Sequence, residues 1–195
     1  MYRELVKFIA AWFICFGTAH AVPTLQITDG ILTGARGVDV NGVLYDVDFL
    51  DGTCTALFSG CDSLQDFPFD TASEVTAASQ ALLDQVLLDS TLGNFDSIPS
   101  RIHGCADNTG QGFCLILTPA DFQVNNSAAQ NSSLEVGDLV RGVFTLAGED
   151  TTIYDTVVYA VWSPNSPVPE LSSTAMLMAG LIMFTVKKRR AATGV

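Results

Sequence analysis

One short segment constrains the fold of this chain more than any other: an Asn-Gly pair with alternating apolar residues on both sides. The segment runs from Gly37 to Phe49 and reads GVDVNGVLYDVDF. Asn-Gly between two alternating runs is typical of a two-residue β-hairpin turn of type I′. The turn places Val40 opposite Val43 and Val38 opposite Tyr45, which predicts an antiparallel sheet with one buried face. The predicted apolar face holds Val38, Val40, Val43, Tyr45, Val47 and Phe49, and the polar face holds Asp39, Asp46 and Asp48.

A helix is predicted after this sheet. Thr71-Ala72-Ser73-Glu74 has the sequence of a capping box, in which the threonine and the glutamate satisfy the first backbone N–H groups of a helix. An apolar stripe with helical spacing follows at Val75, Ala78, Leu82 and Val86. We therefore expect a helix that continues to about Asp89.

Three further strands are predicted in the second half of the chain. A strand at Phe113–Leu117 is followed by a polar segment, Asn125–Ser133, which we expect to be a loop. The runs Leu139–Leu146 and Thr152–Trp162 are apolar on both alternating faces, as in strands covered from two sides. The order of elements, β-β-α-β-β-β, predicts an α+β fold with an antiparallel sheet and one packed helix.

The cysteines indicate an oxidising compartment. Apart from Cys15, the chain contains Cys54, Cys61, Cys105 and Cys114. An even number in an exported chain is typical of disulfides. We predict the pairs 54–61 and 105–114, because each brackets a short loop that contains glycine. Zinc is the alternative, but neither spacing is that of a structural zinc motif.

Charge excludes one class of partner. Residues 22–170 contain three arginines, no lysine and 20 acidic residues, a formal charge of −17. Binding to a nucleic-acid backbone requires clusters of lysine and arginine. We therefore expect no nucleic-acid partner, and we interpret the charge as favouring solubility outside the cell.

The first 21 residues have the pattern of a secretory signal peptide. Arg3 and Lys7 precede an apolar run, Phe8–Thr18, which ends before the small residues Ala19 and Ala21. A basic start, a short apolar core and an A-x-A site predict cleavage after Ala21. An exported domain is then expected over residues 22–162.

The other end of the chain has three parts. A proline-rich linker at 163–170 precedes an uncharged apolar segment at 171–186, which we predict to be a transmembrane helix. Sixteen helical residues extend about 24 Å, close to but below the roughly 30 Å of a hydrocarbon core. The tail 187–195 is expected in the cytoplasm because it begins with four basic residues, Lys187, Lys188, Arg189 and Arg190.

This tail resembles the PEP-CTERM sorting signal of bacteria. The resemblance lies in Val168, Pro169 and Glu170, the apolar helix and the basic cluster, although the family motif continues with proline where this chain has Leu171. It implies an inner-membrane precursor that is cut by an exosortase after signal peptidase has acted. It further implies a mature protein at the cell surface or outside the cell, associated with exopolysaccharide and biofilm. The chain is then a substrate of processing enzymes rather than an enzyme, and no cofactor is expected.

A different outcome for the tail leads to a different function. If residues 171–186 remain as a permanent anchor, the protein is a membrane-anchored periplasmic module. Such a module is expected to bind carbohydrate or a divalent cation. A periplasmic hydrolase is a third hypothesis, and it would depend on His103 and on the clustered aspartates.

Three groups of residues in the exported domain are candidate sites. Asp46, Asp48 and Asp51 are closely spaced, but their spacing is not that of a calcium loop, so a solvated strand face is preferred and no metal site is predicted. His103 lacks the nucleophile motif of a hydrolase, and a surface loop is expected there. A sugar-binding aromatic platform would require the three aromatic residues Tyr154, Tyr159 and Trp162; core packing explains them more simply.

Overall fold

The computed structural model describes residues 22–106, 112–120, 125–134 and 137–165. These residues form nine strands and two α-helices, with short 3₁₀ turns between them. The strands are β1 (Thr24–Thr28), β2 (Ile31–Val40), β3 (Val43–Leu50), β4 (Asp89–Ser90), β5 (Gly93–Asn94), β6 (Phe113–Pro119), β7 (Asn125–Ser132), β8 (Leu139–Phe144) and β9 (Val157–Pro164). The helices are α1 (Cys54–Leu57) and α2 (Ala72–Gln85).

Seven strands make one sheet in the order β1-β2-β3-β9-β6-β7-β8. Each neighbouring pair is antiparallel except β6 and β9, which run parallel. Strand β9, the last of the strands that the structure describes, therefore lies at the centre of the sheet, between β3 and β6. Strands β4 and β5 form a separate two-stranded ribbon. The predicted α+β class, a mostly antiparallel sheet with one long packed helix, is confirmed.

The predicted hairpin is present with the predicted register. Val40 pairs with Val43 and Val38 pairs with Tyr45. Asn41 has a φ of 54° and Gly42 a φ of 86°, the positive values that a type I′ turn requires. The apolar face is buried along most of its length, but Val43 at the turn is 52% exposed.

The long helix begins where the sequence predicts. The Thr71 hydroxyl accepts the Glu74 N–H at 3.3 Å, and the Glu74 carboxylate accepts the Thr71 N–H at 3.2 Å. Helix α2 ends at Gln85 rather than near Asp89, because Asp89 belongs to the β4–β5 ribbon.

The sheet is covered on both faces, and β9 shows this most clearly. Its residues Val158, Ala160 and Trp162 belong to the core beneath α2. The alternate residues Val157, Tyr159 and Val161 face a second core. The second core is closed by the segment 54–67, which contributes four buried apolar side chains, Cys54, Phe58, Cys61 and Phe67.

One predicted loop is wrong. The polar segment beginning at Asn125 is strand β7, paired on both sides by β6 and β8. Its small residues Ala128 and Ala129 fit between the two cores, and its asparagines find hydrogen-bond partners: Asn126 donates to the Val143 carbonyl, and Asn131 donates to the Phe95 carbonyl at 2.7 Å. Strand pairing and burial have overridden a composition typical of loops.

Two other predictions need correction. The run Leu139–Leu146 was predicted to be covered on both faces, but β8 ends at Phe144 and is an edge strand whose side chains are largely exposed. The run Thr152–Trp162 begins with a 3₁₀ turn at Thr151–Ile153, and the strand starts only at Val157. Strand β1 was not predicted.

Candidate functional site

The predicted processing sites lie outside the residues that the structure describes. These are the signal-cleavage residues, the sorting motif, the apolar segment 171–186 and the basic cluster. Within the described ranges, no helix combines the length and the hydropathy needed to cross a bilayer. The predictions on Ala19, Ala21, Val168, Pro169, Glu170, Lys187, Lys188, Arg189 and Arg190 remain predictions.

The cysteines are paired as the sequence analysis predicted. Cys54 is bonded to Cys61 and Cys105 to Cys114, each pair with a Cα–Cα distance of 5.7 Å. The first disulfide closes the segment that covers the second core, and the second ties the loop after residue 100 to β6. Because disulfides persist in oxidising compartments, the two bonds indicate an exported environment.

The three aspartates of the candidate calcium site, Asp46, Asp48 and Asp51, do not lie together in the structure. The Arg36 guanidinium contacts Asp48 at 2.6 Å and Asp46 at 3.9 Å. Asp46 also accepts the Gly37 N–H at 3.0 Å, beside a β-bulge in β2. These two carboxylates therefore neutralise an arginine, and Asp51 lies elsewhere. No cluster of three or more metal-ligating side chains occurs among the residues the structure covers.

The aromatic residues do not form a platform. Tyr159 and Trp162 lie on opposite faces of β9 and are buried in different cores, which confirms the prediction of core packing for both. Trp162 donates its indole N–H to the Thr118 hydroxyl at 3.2 Å and packs edge-on against Phe69. The prediction of core packing is wrong for Tyr154, which lies at the surface and is 39% exposed.

Three residues that belong to different candidate sites in the sequence lie together in one surface groove, which we call the His103 groove. It contains Asp51, His103 and Tyr154 and has a volume of about 320 Å³. Four separate parts of the chain contribute to it: the start of β2, the end of β3, the loop 100–106 and the turn 152–155. Its other polar side chains, which sequence reasoning missed, are Ser100, Thr152 and Asp155.

Backbone and buried contacts hold the groove in shape. The His103 N–H donates to the Leu32 carbonyl at 2.9 Å, which attaches the loop to β2. Thr151, 2% exposed, donates its hydroxyl to the Asp51 carboxylate at 3.0 Å and accepts the Gly52 N–H at 3.0 Å. Gly104 has a φ of 81°, and a Cβ there would lie 2.9 Å from the Asp51 carboxylate. Glycine therefore allows the loop to approach Asp51 closely.

Tyr154 is fixed at the rim by a neighbouring carboxylate. Its hydroxyl donates to the Glu149 carboxylate. This hydrogen bond raises the pKa of the Tyr154 hydroxyl and lowers the pKa of the Glu149 carboxyl, because it favours the neutral phenol and the ionised acid. The hydrogen bond links the Tyr154 ring to Glu149 at the rim of the groove.

The groove offers hydrogen-bonding groups rather than an assembled nucleophile. It combines two half-buried carboxylates, three hydroxyl side chains and one imidazole. Across the described part of the chain, no hydrogen bond links His103 to a serine or an aspartate in the way a catalytic relay requires. Such a set of acceptors and donors beside an aromatic ring suits a ligand with several hydroxyl groups.

Comparison with protein-family models, with curated proteins and with solved structures finds no match to this chain.

Proposed function

We propose that this protein is an exported bacterial envelope or extracellular-matrix protein, made as an inner-membrane precursor and released by an exosortase. The observation that carries the proposal is the pair of disulfides, Cys54–Cys61 and Cys105–Cys114, in the acidic domain. The two ends of the same chain have the sequence patterns of a signal peptide and of a sorting tail. Disulfides support passage through an oxidising compartment. The resemblance of the tail to PEP-CTERM signals implies that the processing enzyme is an exosortase.

Intact mass of the protein recovered from the native host tests this proposal. We expect a form that begins at Val22, ends near Glu170 and lacks the basic tail. Pro169→Ala is expected to leave the uncleaved form in the inner membrane, whereas the matched change Pro164→Ala, upstream of the motif, should leave processing unchanged. A wild-type protein that keeps Lys187–Arg190 would contradict sorting and favour the anchored periplasmic module.

A second function is favoured by the His103 groove: binding of a saccharide, with the envelope domain acting as a recognition module. Carboxylates such as Asp51 accept hydrogen bonds from pairs of sugar hydroxyl groups, and charge-assisted bonds of this kind are among the stronger ones. An exposed ring such as Tyr154 offers an apolar surface to the C–H face of a sugar. A divalent cation is less suited, because the described residues contain no cluster of three ligands.

Binding of the host's own polysaccharide fragments by the full-length protein tests this second function. Asp51→Asn keeps the shape and hydrogen bond to Thr151 but removes the charge, and we expect affinity to fall about tenfold or more. Tyr154→Ala is expected to give a similar loss. Asp84→Asn, on the exposed side of α2, is the matched control and should not change affinity. Equal binding by all four proteins would contradict a site in this groove.

A further inference from the structure

Strand β8 is an open edge of the seven-stranded sheet. In the described part of the chain it pairs with β7 on one side and with no strand on the other. Two of its large apolar side chains are exposed, Leu139 by 43% and Phe144 by 65%. The free side of β8, which we call the β8 edge, therefore combines strand backbone with apolar surface. That combination is a template for pairing with a further strand.

Strand β8 also lacks most of the features by which edge strands resist such pairing. Those features are charged side chains, proline and β-bulges. The sequence Leu139–Phe144 contains one charge, Arg141, and no proline or acidic residue, although residues 22–170 contain 20 acidic residues. Its register with β7 is continuous. The opposite edge of the sheet is different, because β1 follows Pro23 and has a bulge at Gln26–Ile27.

The sequence of β8 is complementary to itself about Gly142. A two-fold axis through this residue sets two copies of β8 antiparallel, with Gly142 opposite the same residue of the second copy. Val140 then lies opposite Phe144 of the second copy, and Arg141 lies opposite Val143. Val140 packs against the core beneath α2, and alternation along the strand places Phe144 on the same face. The axis therefore creates two apolar cross-strand pairs, one on each side of the glycine pair.

Charge distinguishes this register from the neighbouring one. An axis through Arg141 would give a ladder of the same length, residues 139–143 in place of 140–144. It would, however, place the two Arg141 side chains directly opposite each other, and like charges in that position are destabilising. The axis through Gly142 moves each arginine to a position opposite Val143. The register about Gly142 is therefore preferred.

The surface above β8 leaves room for the side chains of a second strand. A Cβ built on Gly142 meets no atom within 4 Å. A groove of about 290 Å³ lies between α2 and β8, with apolar lining residues such as Val140 and polar ones such as Arg141. The Phe144 ring of the second copy, opposite Val140, would lie beside this groove. The groove contributes space for the ring, and the strand register contributes the selectivity.

We propose that this protein forms a homodimer in which the β8 edges of two copies pair antiparallel about Gly142 and join the two sheets into one. Residues 140–144 of each copy make an interface much smaller than the roughly 20–30 residues a side of a stable complex, so the dimer is transient, with a dissociation constant of roughly 0.1 mM. Each copy has a formal charge of −17 over residues 22–170. The copies therefore repel each other at low ionic strength, and salt strengthens the dimer. This proposal is independent of sorting and of the His103 groove.

Introduced cysteines test the register directly. Directly opposite residues of an antiparallel pair have Cα atoms about 4.5–5.5 Å apart, within the range that a disulfide spans. Gly142→Cys should therefore give a cross-linked dimer in a glutathione redox buffer, seen on a non-reducing gel and dissociated by dithiothreitol. Leu139→Cys is the matched control, because it is exposed on the same strand but lies about 20 Å from its counterpart in the second copy. This variant and the wild type should remain without the cross-link.

Sedimentation equilibrium of the full-length protein measures the affinity, in a mild detergent that keeps the apolar segment 171–186 from associating. Phe144→Glu should weaken the dimer at least tenfold, because it places a carboxylate opposite Val140. Val43→Glu is the matched control: it adds the same charge at a side chain that is 52% exposed, but on β3, in the other half of the sheet. Its affinity should equal that of the wild type. Circular dichroism checks that both variants are folded.

The salt dependence of the wild type gives a third measurement. Raising the sodium chloride concentration from roughly 20 mM to roughly 500 mM should lower the dissociation constant, because it screens the repulsion between two acidic copies. A dimer that salt weakens would overturn the proposal, since electrostatic attraction would then hold it. Equal cross-linking of Gly142→Cys and Leu139→Cys would overturn it as well, because it would mean random collision. A protein that stays monomeric at millimolar concentration would refute self-pairing and assign the β8 edge to a strand of another protein.

Discussion

The Cys54–Cys61 disulfide offers the most direct test of how the second core is held. The bond joins residues seven apart and closes a loop of about eight residues. Loop-closure entropy for a loop of that size is worth about 2.5 kcal/mol in the unfolded chain. Replacing both cysteines with alanine keeps the side chains small and apolar, so the free energy of unfolding should fall by about that amount.

The corresponding change in melting temperature follows from the size of the domain. An unfolding entropy of about 2.1 cal/mol/K per residue, over about 140 residues, converts the loss to roughly 8 °C. Calorimetry of the full-length protein under non-reducing conditions measures it. Hydrogen exchange should rise first in the segment 54–67, which closes the core around Phe58 and Tyr159.

The second disulfide is the matched control. Cys105 and Cys114 are nine residues apart, and their removal should cost about 2.7 kcal/mol. The melting temperatures of the two variants should therefore be close, while exchange in the second variant rises in the loop 100–106. A decrease below about 2 °C in either variant, or a wild-type melting temperature that dithiothreitol does not change, would refute the loop-closure estimate.

Three further predictions concern single residues. Burial and the neighbouring Asp138 carboxylate raise the pKa of the Asp96 carboxyl. Protonated Asp96 therefore contributes to the stability of the folded protein; this contribution is fully present below about pH 4 and is lost as the pH rises through the folded-state pKa of Asp96. Asp96→Asn should flatten the pH dependence of the urea midpoint and raise that midpoint at pH 7; an unchanged slope would contradict this. Gly104→Ala should lower the free energy of unfolding by about 1–3 kcal/mol, because φ at Gly104 is 81° and the new Cβ would lie 2.7 Å from the Val158 side chain of β9. Gly148→Ala, which has open space around it, should leave thermal unfolding nearly unchanged. Thr71→Ala should lower stability by about 1 kcal/mol through loss of the helix cap, and Thr71→Ser should restore it.

The features predicted from the sequence are those that depend on near neighbours in the chain. Asn41-Gly42 determines a turn whatever surrounds it, and Thr71 with Glu74 caps α2 through contacts three residues apart. Both disulfides also close short loops. In each case the chemistry is contained in one short stretch, so the pattern and the structure agree.

The features that were missed depend on distant pairing. The composition of strand β7 predicts a loop because its asparagines are polar, but distant groups accept their hydrogen bonds: the Val143 carbonyl and the Thr145 hydroxyl for Asn126, and the Phe95 carbonyl for Asn131. The His103 groove was missed for the same reason. Asp51 and Tyr154 are about a hundred residues apart, and they become neighbours because the sheet order places β3 beside β9.

The central position of β9 has a consequence for the order in which this chain can acquire its structure. Before residues 157–164 arrive, the sheet is two separate pieces, β1-β2-β3 and β6-β7-β8, and each has an unpaired inner edge. If the chain is exported from its N-terminus, as we propose, β9 is released after the other described strands, together with the first residues of the proline-rich linker. The domain can therefore close only when the linker has almost emerged, and a cut upstream of Trp162 would leave two aggregation-prone half-sheets.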